Sequence, residues 1–351
     1  MNKSALAQQR LRNQKLFSSE FARPVEVVRW MGAVQAQDFN GAKWALALRM
    51  HEGTNSFVEA AFNRGEIVRT HLLRPTWHFV APQDIRWLLA LTAPRINTRC
   101  GPNYRKYELD GPIFNRANKT LTKALQGGKH LTRAELKALL NRAGITADDG
   151  IRLAHILLRA ELDGIVCSGP RRGKQFTYAL LEERVPAAQP LRRDEALAKL
   201  TRTYFTSHGP ATSQDFIWWS GLTAADARHG IALLGTDLEQ LTFKDKSYWA
   251  AANDHRVTSD PVAGAYLLPA YDEYNVAYKD RENVFDLHVL GPTLVIDGQV
   301  AGNWNSTVDK SGVTIGVSAP QPLKMREKRA VEKAADRYAK FLNVPLAHVR
   351  T

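Results

Sequence analysis

Apolar residues recur at helical spacing over most of the first 240 positions, broken three times by short extended runs. Leu6, Leu11, Leu16 and Phe17 mark a helix across residues 5–21. Val27, Val28, Met31 and Val34 mark a second, opened by Pro24, a residue suited to the first helical position. Gly41–Arg49 is strongly helical, and Phe57–Arg64 reads as another helix stopped by Gly65. Ile67–Leu73, a turn at Arg74-Pro75, and Thr76–Val80 then read as a β-hairpin, followed by a linking helix from Pro82 to Ala93.

The order repeats. Helices are expected at Asn115–Gly127, at Leu131–Leu140 behind a capping-box pair Thr132 and Glu135, and at Arg152–Asp163. A second hairpin spans 165–180, with Arg171, Arg172 and Lys174 beside two glycines at its tip. After a Pro/Ala-rich linker, Val185–Pro190, a third set of helices leads to a hairpin at 238–251. Helices closed by a hairpin are the order of a winged helix. Beyond residue 260 short apolar runs alternate with glycine turns, Asp297-Gly298 being a strong two-residue hairpin signal, and a helix follows from Arg326 to Leu342. The expected fold is mainly α with small β: tandem winged helices plus a C-terminal β-rich, barrel-like domain. The expected boundaries are 1–115 for winged helix 1 with its linking helix, 116–190 for winged helix 2, 191–259 for winged helix 3, and 260–351 for the C-terminal domain.

Charge sharpens this picture. The chain of 351 residues carries a formal net charge of +13, and the excess is uneven. Residues 1–115 hold 16 Lys/Arg against 9 Asp/Glu, and residues 116–190 hold 13 against 7. Residues 191–259 balance at 8 and 8, and 260–351 at 11 and 11. The whole excess lies in the first 190 residues, which points to an anionic polymer as partner, a basic soluble protein without one being the alternative. The class is soluble and globular: no run approaches the roughly 20 apolar residues of a membrane span. The first residues lack the apolar core of a signal peptide. Only Cys100 and Cys167 are present, which suits a reducing cytoplasm, with no disulfide scaffold. Paired-Cys zinc spacing, a Walker loop and His-Glu-x-x-His are all missing, so neither a metal nor a nucleotide cofactor is expected.

The chemistry is sought in Val34-Gln35-Ala36-Gln37-Asp38. If the helix ends near Val34, the backbone beyond is extended and residues two apart point the same way. Gln35 and Gln37 then present two amides in one direction; alternatively both cap the helix end or bond loop carbonyls. Asp38 is either a carboxylate near the reacting centre or a cap, or an ion-pair partner for Lys43 or Arg49.

Three stretches together resemble a known family: Val34-Gln35-Ala36-Gln37, the hairpin Arg69-Thr70-His71-Leu72-Leu73-Arg74-Pro75-Thr76-Trp77-His78, and Leu268-Pro269-Ala270-Tyr271-Asp272-Glu273. The chain resembles the AlkZ-like, YcaQ-related winged-helix DNA glycosylases over essentially its whole length. The resemblance implies a hydrolase of N-glycosyl bonds, probing double-stranded DNA for alkylation damage and excising cationic alkylated purines of the 7-alkylguanine type. Some members of the family unhook interstrand crosslinks, and the expectation here is a monofunctional, monomeric, nucleoid-associated cytoplasmic enzyme of base excision repair. It assigns Gln35 and Gln37 to a Gln-apolar-Gln catalytic motif; Asp38 lies one place too late for the sister Gln-apolar-Asp motif. Candidates for catalytic support are Asp38, His71 and His78, the histidines being alternatively wing residues bonded to backbone. Lys43, Arg69, Arg74, Arg171, Arg172 and Lys174 are candidates for DNA contact. Trp77, either core or stacking platform, and Asp272, Glu273 and Arg281 are expected to brace the site. Two other classes compete: a non-catalytic winged-helix transcription regulator, since the fold alone does not decide function, and an interaction scaffold, which leaves the basic half unexplained.

Overall fold

The computed structural model describes residues 2–252, 263–279 and 291–351. The backbone divides into two units. The first comprises Met1–Glu59, Ala198–Trp219 and Thr223–Thr351; the second comprises Ala60–Leu197 and Ser220–Leu222.

The first unit is built on a five-stranded sheet. Its strands lie in the order Leu346–Arg350, Gly312–Ser318, Gln299–Asp309, Thr293–Ile296 and Ala265–Leu268, all neighbours antiparallel except the first two. Asp297 (φ 50°) and Gly298 (φ 84°) make the expected two-residue turn, both in the left-handed region that such hairpins need. The sheet is open, which corrects the barrel-like expectation. Closure would need the two edge strands to meet. Instead the apolar face is covered by other elements: Val331, Ala335, Ala339 and Phe341 of helix Met325–Leu342, and Leu6, Ala7 and Leu11 of helix Lys3–Asn13. Trp44 and Leu48 join the same core, with Trp44 Nε1 donating to the Leu267 carbonyl at 2.6 Å. A separate antiparallel pair, Leu238–Phe243 with Lys246–Ala251, turns through Lys244 and Asp245, both at positive φ.

The second unit is mainly helical. Helices Gly111–Leu125, Arg133–Arg142 and Gly150–Leu162 bury Phe114, Leu121, Leu136, Leu140, Leu153 and Leu157. They pack with a three-stranded sheet in the order Leu131–Thr132, Thr177–Leu180, Val166–Ser168. Thr132 and Glu135 form the reciprocal cap read from the sequence, Thr132 N donating to Glu135 Oε2 at 2.6 Å. Val68–Leu72 pairs with Thr76–Val80, setting His71 opposite Trp77. The linking helix differs from expectation. It runs from Ile85 to Lys106, straight through Pro94 and Pro102, rather than ending at Ala93. An interior proline costs about 3 kcal/mol. Here Leu88, Leu91, Ile96, Cys100 and Tyr104 bury one continuous face, and that packing outweighs the lost backbone bonds. Among the described residues no helix is long and apolar enough to cross a membrane.

Candidate active site

The first helix after the N-terminal one ends earlier than its apolar pattern suggests. Pro24–Met31 is helical, and Gly32 closes it at φ 79°, a conformation that strains any residue with a Cβ. A Cβ there would also sit 3.0 Å from Thr203 Cγ2. Val34 and Gln35 are extended, and Asp38 caps helix Phe39–Ala47 by accepting from Asn40 N at 3.1 Å. Gly41 lies under that cap: a Cβ would come within 2.6 Å of Asp38 Oδ2 and 3.1 Å of Pro269 Cβ. Gln35 therefore lies on a two-residue extended stretch after the glycine stop, whereas Gln37 lies in the bend that leads into the Asp38 cap, which differs from the expectation of one extended run through both. They differ in exposure. Gln35 is 8% exposed, whereas Gln37 and Asp38 are at the surface.

Gln35 is clamped by its backbone. Its N–H donates to Glu273 Oε1 at 2.7 Å, while its own side-chain Oε1 is buried and makes no hydrogen bond. A buried amide oxygen left unpaired costs roughly 1–3 kcal/mol, so its persistence needs a reason. Glu273 is itself buried, 1% exposed. Its other oxygen accepts from Trp219 Nε1 at 2.9 Å and lies 3.5 Å from His208 Nε2. Beside it Asp272 takes a bidentate pair from Arg49, at 2.9 and 2.8 Å, and caps Tyr274 N. Arg49 also reaches Gln14 Oε1 at 2.7 Å, Gln14 donates to Tyr278 OH, and Tyr278 OH donates to the His208 carbonyl at 2.8 Å. The guanidinium of Arg10 stacks 3.6 Å above the Tyr278 ring. Burial lowers the His208 pKa from its ordinary value against the opposing pull of Glu273, and burial raises the Tyr278 phenol. This polar core is densely bonded, and such a network holds its members in one arrangement. It delivers one backbone position, that of Gln35, with a free acceptor on its side chain.

The remaining candidates are placed as follows. Lys43 is 1% exposed, with Nζ 2.5 Å from Glu59, so its charge is neutralised inside the first unit. In the second unit Arg69 lies over the Trp77 ring at 4.2 Å and over Phe176 at 4.9 Å. His71 packs on Trp77 with centroids 4.4 Å apart and bonds Glu161 through both its backbone N–H and Nδ1. His78 is fully buried, its Nδ1 2.9 Å from the Thr76 carbonyl. Arg74, half-buried, stands at the hairpin turn. At the tip of the second hairpin Arg171 donates to the Lys174 carbonyl at 2.7 Å, and Arg172 pairs with Glu135 at 2.8 Å. That contact and the Thr132 backbone bond lower the Glu135 carboxyl to about 2, the backbone bond acting most. Lys174 is exposed. Arg281 lies outside the described residues.

The family model described as DNA glycosylase AlkZ-like matches residues 28–341. The chain belongs to the AlkZ-like family. A curated relative, the interstrand DNA cross-link repair glycosylase of Streptomyces sahachiroi, is 24% identical over 350 residues, covering 93% of this chain and 92% of the relative. The solved structure of Streptomyces sahachiroi DNA glycosylase AlkZ superposes with a TM-score of 0.80 at 21% identity, covering 100% of both chains, which establishes the AlkZ-like fold. Within this AlkZ-like chain, reading the sequence missed Gln14, Arg49 as the partner of Asp272, His208 and Trp219. The sequence offers Arg49 only as a partner for nearby Asp38. Nothing in the spacing of Arg49 and Asp272, 223 residues apart, announces their pairing. The one usable signal was the acidic pair Asp272-Glu273 inside an otherwise apolar run, since adjacent buried carboxylates must find donors.

Proposed function

We propose that the chain is a DNA repair glycosylase that hydrolyses the N-glycosidic bond of cationic alkylated purines of the 7-alkylguanine type, with Gln35 and Gln37 as its catalytic pair. The observation that carries the reading is the buried, unpartnered Oε1 of Gln35 on a backbone fixed by Glu273. A purine alkylated on ring nitrogen 7 already carries positive charge, so its departure needs no proton donor. Glutamine takes no proton near neutral pH and is no general base. Its carbonyl can accept from a water, aim that water at the anomeric carbon, and set its dipole against the developing oxocarbenium charge. Asp38, turned to the Asn40 backbone as a cap, supports the helix that follows rather than the chemistry.

In this reading the helix–hairpin modules act as winged helices. Arg69, Arg74, Arg171, Arg172 and Lys174 serve duplex DNA in the basic half, and Lys43 braces the site through Glu59. The enzyme acts as a monomer without a cofactor, in the cytoplasm near the nucleoid, and is monofunctional. The name of the Streptomyces sahachiroi relative supports adding interstrand crosslinks to its substrates. The deciding test is incubation with duplex DNA holding one 7-methylguanine, followed by alkaline cleavage at abasic sites. Cleavage that depends on Gln35 and Gln37 supports the proposal. Tight DNA binding without release of any alkylated base hands the chain to the regulator reading.

A further inference from the structure

The second unit contains a cavity of about 470 Å³ that the proposed chemistry does not use. His71, Trp77, Arg99, Arg133, His155 and Tyr178 contribute to its walls, and no carboxylate lines it. Behind the His71 wall lies Glu161, 1% exposed. Glu161 accepts from the His71 backbone N–H at 3.0 Å, contacts His71 Nδ1 through the same oxygen, and meets Trp77 Nε1 through the other at 3.5 Å. A carboxylate bonded to Nδ1 fixes which ring nitrogen faces away from it, here Nε2. His155 offers a second ring there; its Nδ1 is buried and makes no hydrogen bond. Burial, with His71 nearby, holds the His155 pKa below its ordinary value.

The walls also say what the cavity does not take. Trp77 already holds Arg69 over its ring at 4.2 Å and the tilted His71 ring at 4.4 Å, and a stacking base would have to compete with both. What remains is a set of polar groups, two of them cationic: Arg99 at the exposed rim and Arg133, which uses one guanidinium nitrogen on the Gly150 carbonyl, with the His71 ring and the Tyr178 side chain beside them. Two arginines and an oriented imidazole without a lining carboxylate suit a tetrahedral oxyanion, since guanidinium forks match phosphate oxygens.

We propose that this cavity is a phosphate-binding site, centred on His71, Arg99 and Arg133, that takes one phosphate group of a nucleic acid strand. The phosphate has two sources: an internal diester of intact DNA, or a terminal monoester at a strand end. Only that source rests on the glycosylase reading. The site itself stands on the cavity.

The test uses the full chain, labelled with ¹⁵N at histidine, and follows the ring nitrogens during three titrations: inorganic phosphate, a 5′-phosphorylated mononucleotide, and a closed DNA hairpin lacking any terminal phosphate. The expected result is a saturable movement of the His71 signals with at least one probe. It disappears in the Arg99→Gln/Arg133→Gln double variant and survives in Lys123→Gln, which removes an exposed cation outside the cavity wall. A response to the closed hairpin assigns the diester; a response confined to phosphate and the mononucleotide assigns a strand end. If the double variant does not fold, Arg99→Gln alone, at an exposed position, decides, and at least a threefold weaker response is required. No movement with any probe, or equal movement in the arginine variants, overturns the site. A chain that releases no alkylated base yet shows the phosphate response keeps this site while losing the glycosylase reading, and the reverse outcome separates them equally.

Discussion

Replacing Glu273 by methionine tests whether the buried polar core exists to place Gln35. Methionine is close to glutamate in length and carries no strong acceptor, so the packing is nearly kept while two hydrogen bonds are lost, from Gln35 N at 2.7 Å and Trp219 Nε1 at 2.9 Å, and His208 Nε2 loses the carboxylate 3.5 Å away. A hydrogen bond to a charged partner contributes roughly 1.5–3 kcal/mol. Two such bonds are lost, but so is the desolvation of a buried carboxylate, itself several kcal/mol. The two nearly cancel, and the unfolding free energy is expected to move by less than about 3 kcal/mol. The rate behaves differently. The bond to Gln35 holds the extended link on which the proposed chemistry depends, and nothing in the methionine variant replaces it. If its 1.5–3 kcal/mol is realised as lost alignment, single-turnover release of 7-methylguanine falls by about ten- to a hundredfold, at roughly 1.4 kcal/mol per factor of ten. Affinity for undamaged duplex should not change, because Glu273 is buried and presents nothing to DNA. Glu273→Gln keeps one oxygen for the Gln35 N–H and should fall between the two. Urea unfolding monitored by tryptophan fluorescence, run beside the excision assay, separates stability from alignment. A folded Glu273→Met that excises within twofold of wild type, while Gln35→Ala is impaired, would refute the positioning argument.

Other consequences follow from the same geometry. Gln35→Ala and Gln37→Ala should each slow single-turnover excision by about tenfold or more with little effect on binding undamaged DNA, whereas Asp38→Asn, which keeps an oxygen for the Asn40 N–H, should retain most of the rate. Excision should be nearly flat between about pH 5.5 and 8, where ordinary carboxylates are already ionised, and a steep limb inside that range would bring a titrating group into the chemical step. His208 has a lowered folded pKa, so the unfolded chain binds the extra proton first: this contribution to stability is complete above the ordinary histidine value near 6.5 and is lost on acidification below it. Denaturation midpoints from pH 7.5 to 5 should show that loss, and His208→Asn should reduce it. Affinity for duplex DNA should fall steeply with salt, and Arg171, Arg172 and Lys174 changed together to Ala should flatten the log–log slope; an unchanged slope would remove this hairpin tip from the contact surface.

The local elements were legible because their signals are local. The three hairpins fall within 67–80, 165–180 and 238–251, where Arg-Pro, the glycine-rich tip and the repeated order of elements announce them. The Thr132–Glu135 cap and the Asp297-Gly298 turn are equally short-range. What could not be read was whatever depends on distant partners. The helix through Pro94 and Pro102 persists because of a buried face, which no rule about proline alone contains. The C-terminal strands look like a self-sufficient barrel only while the N-terminal helix is ignored. Once Leu6, Ala7 and Leu11 lie against them, an open sheet has its apolar face covered and no reason to close.

The candidate site divides along the same line. Gln35 and Gln37 could be singled out, because two amides flanking a small residue after a helix stop are visible in five letters. Their inequality could not. Gln35 is sunk and Gln37 exposed because Glu273, 238 residues away in sequence, draws the Gln35 backbone inward. That asymmetry bears on mechanism. An acceptor buried at 8% exposure meets only what is brought to it, so Gln35 suits a single held water or the reacting sugar face. Gln37 is exposed, where bound DNA can reach it. On this argument Gln37→Ala should raise the substrate concentration needed for half-maximal rate as well as lowering the rate, and Gln35→Ala should lower the rate alone. Identical profiles for the two variants would mean that DNA binding erases the difference set by Glu273.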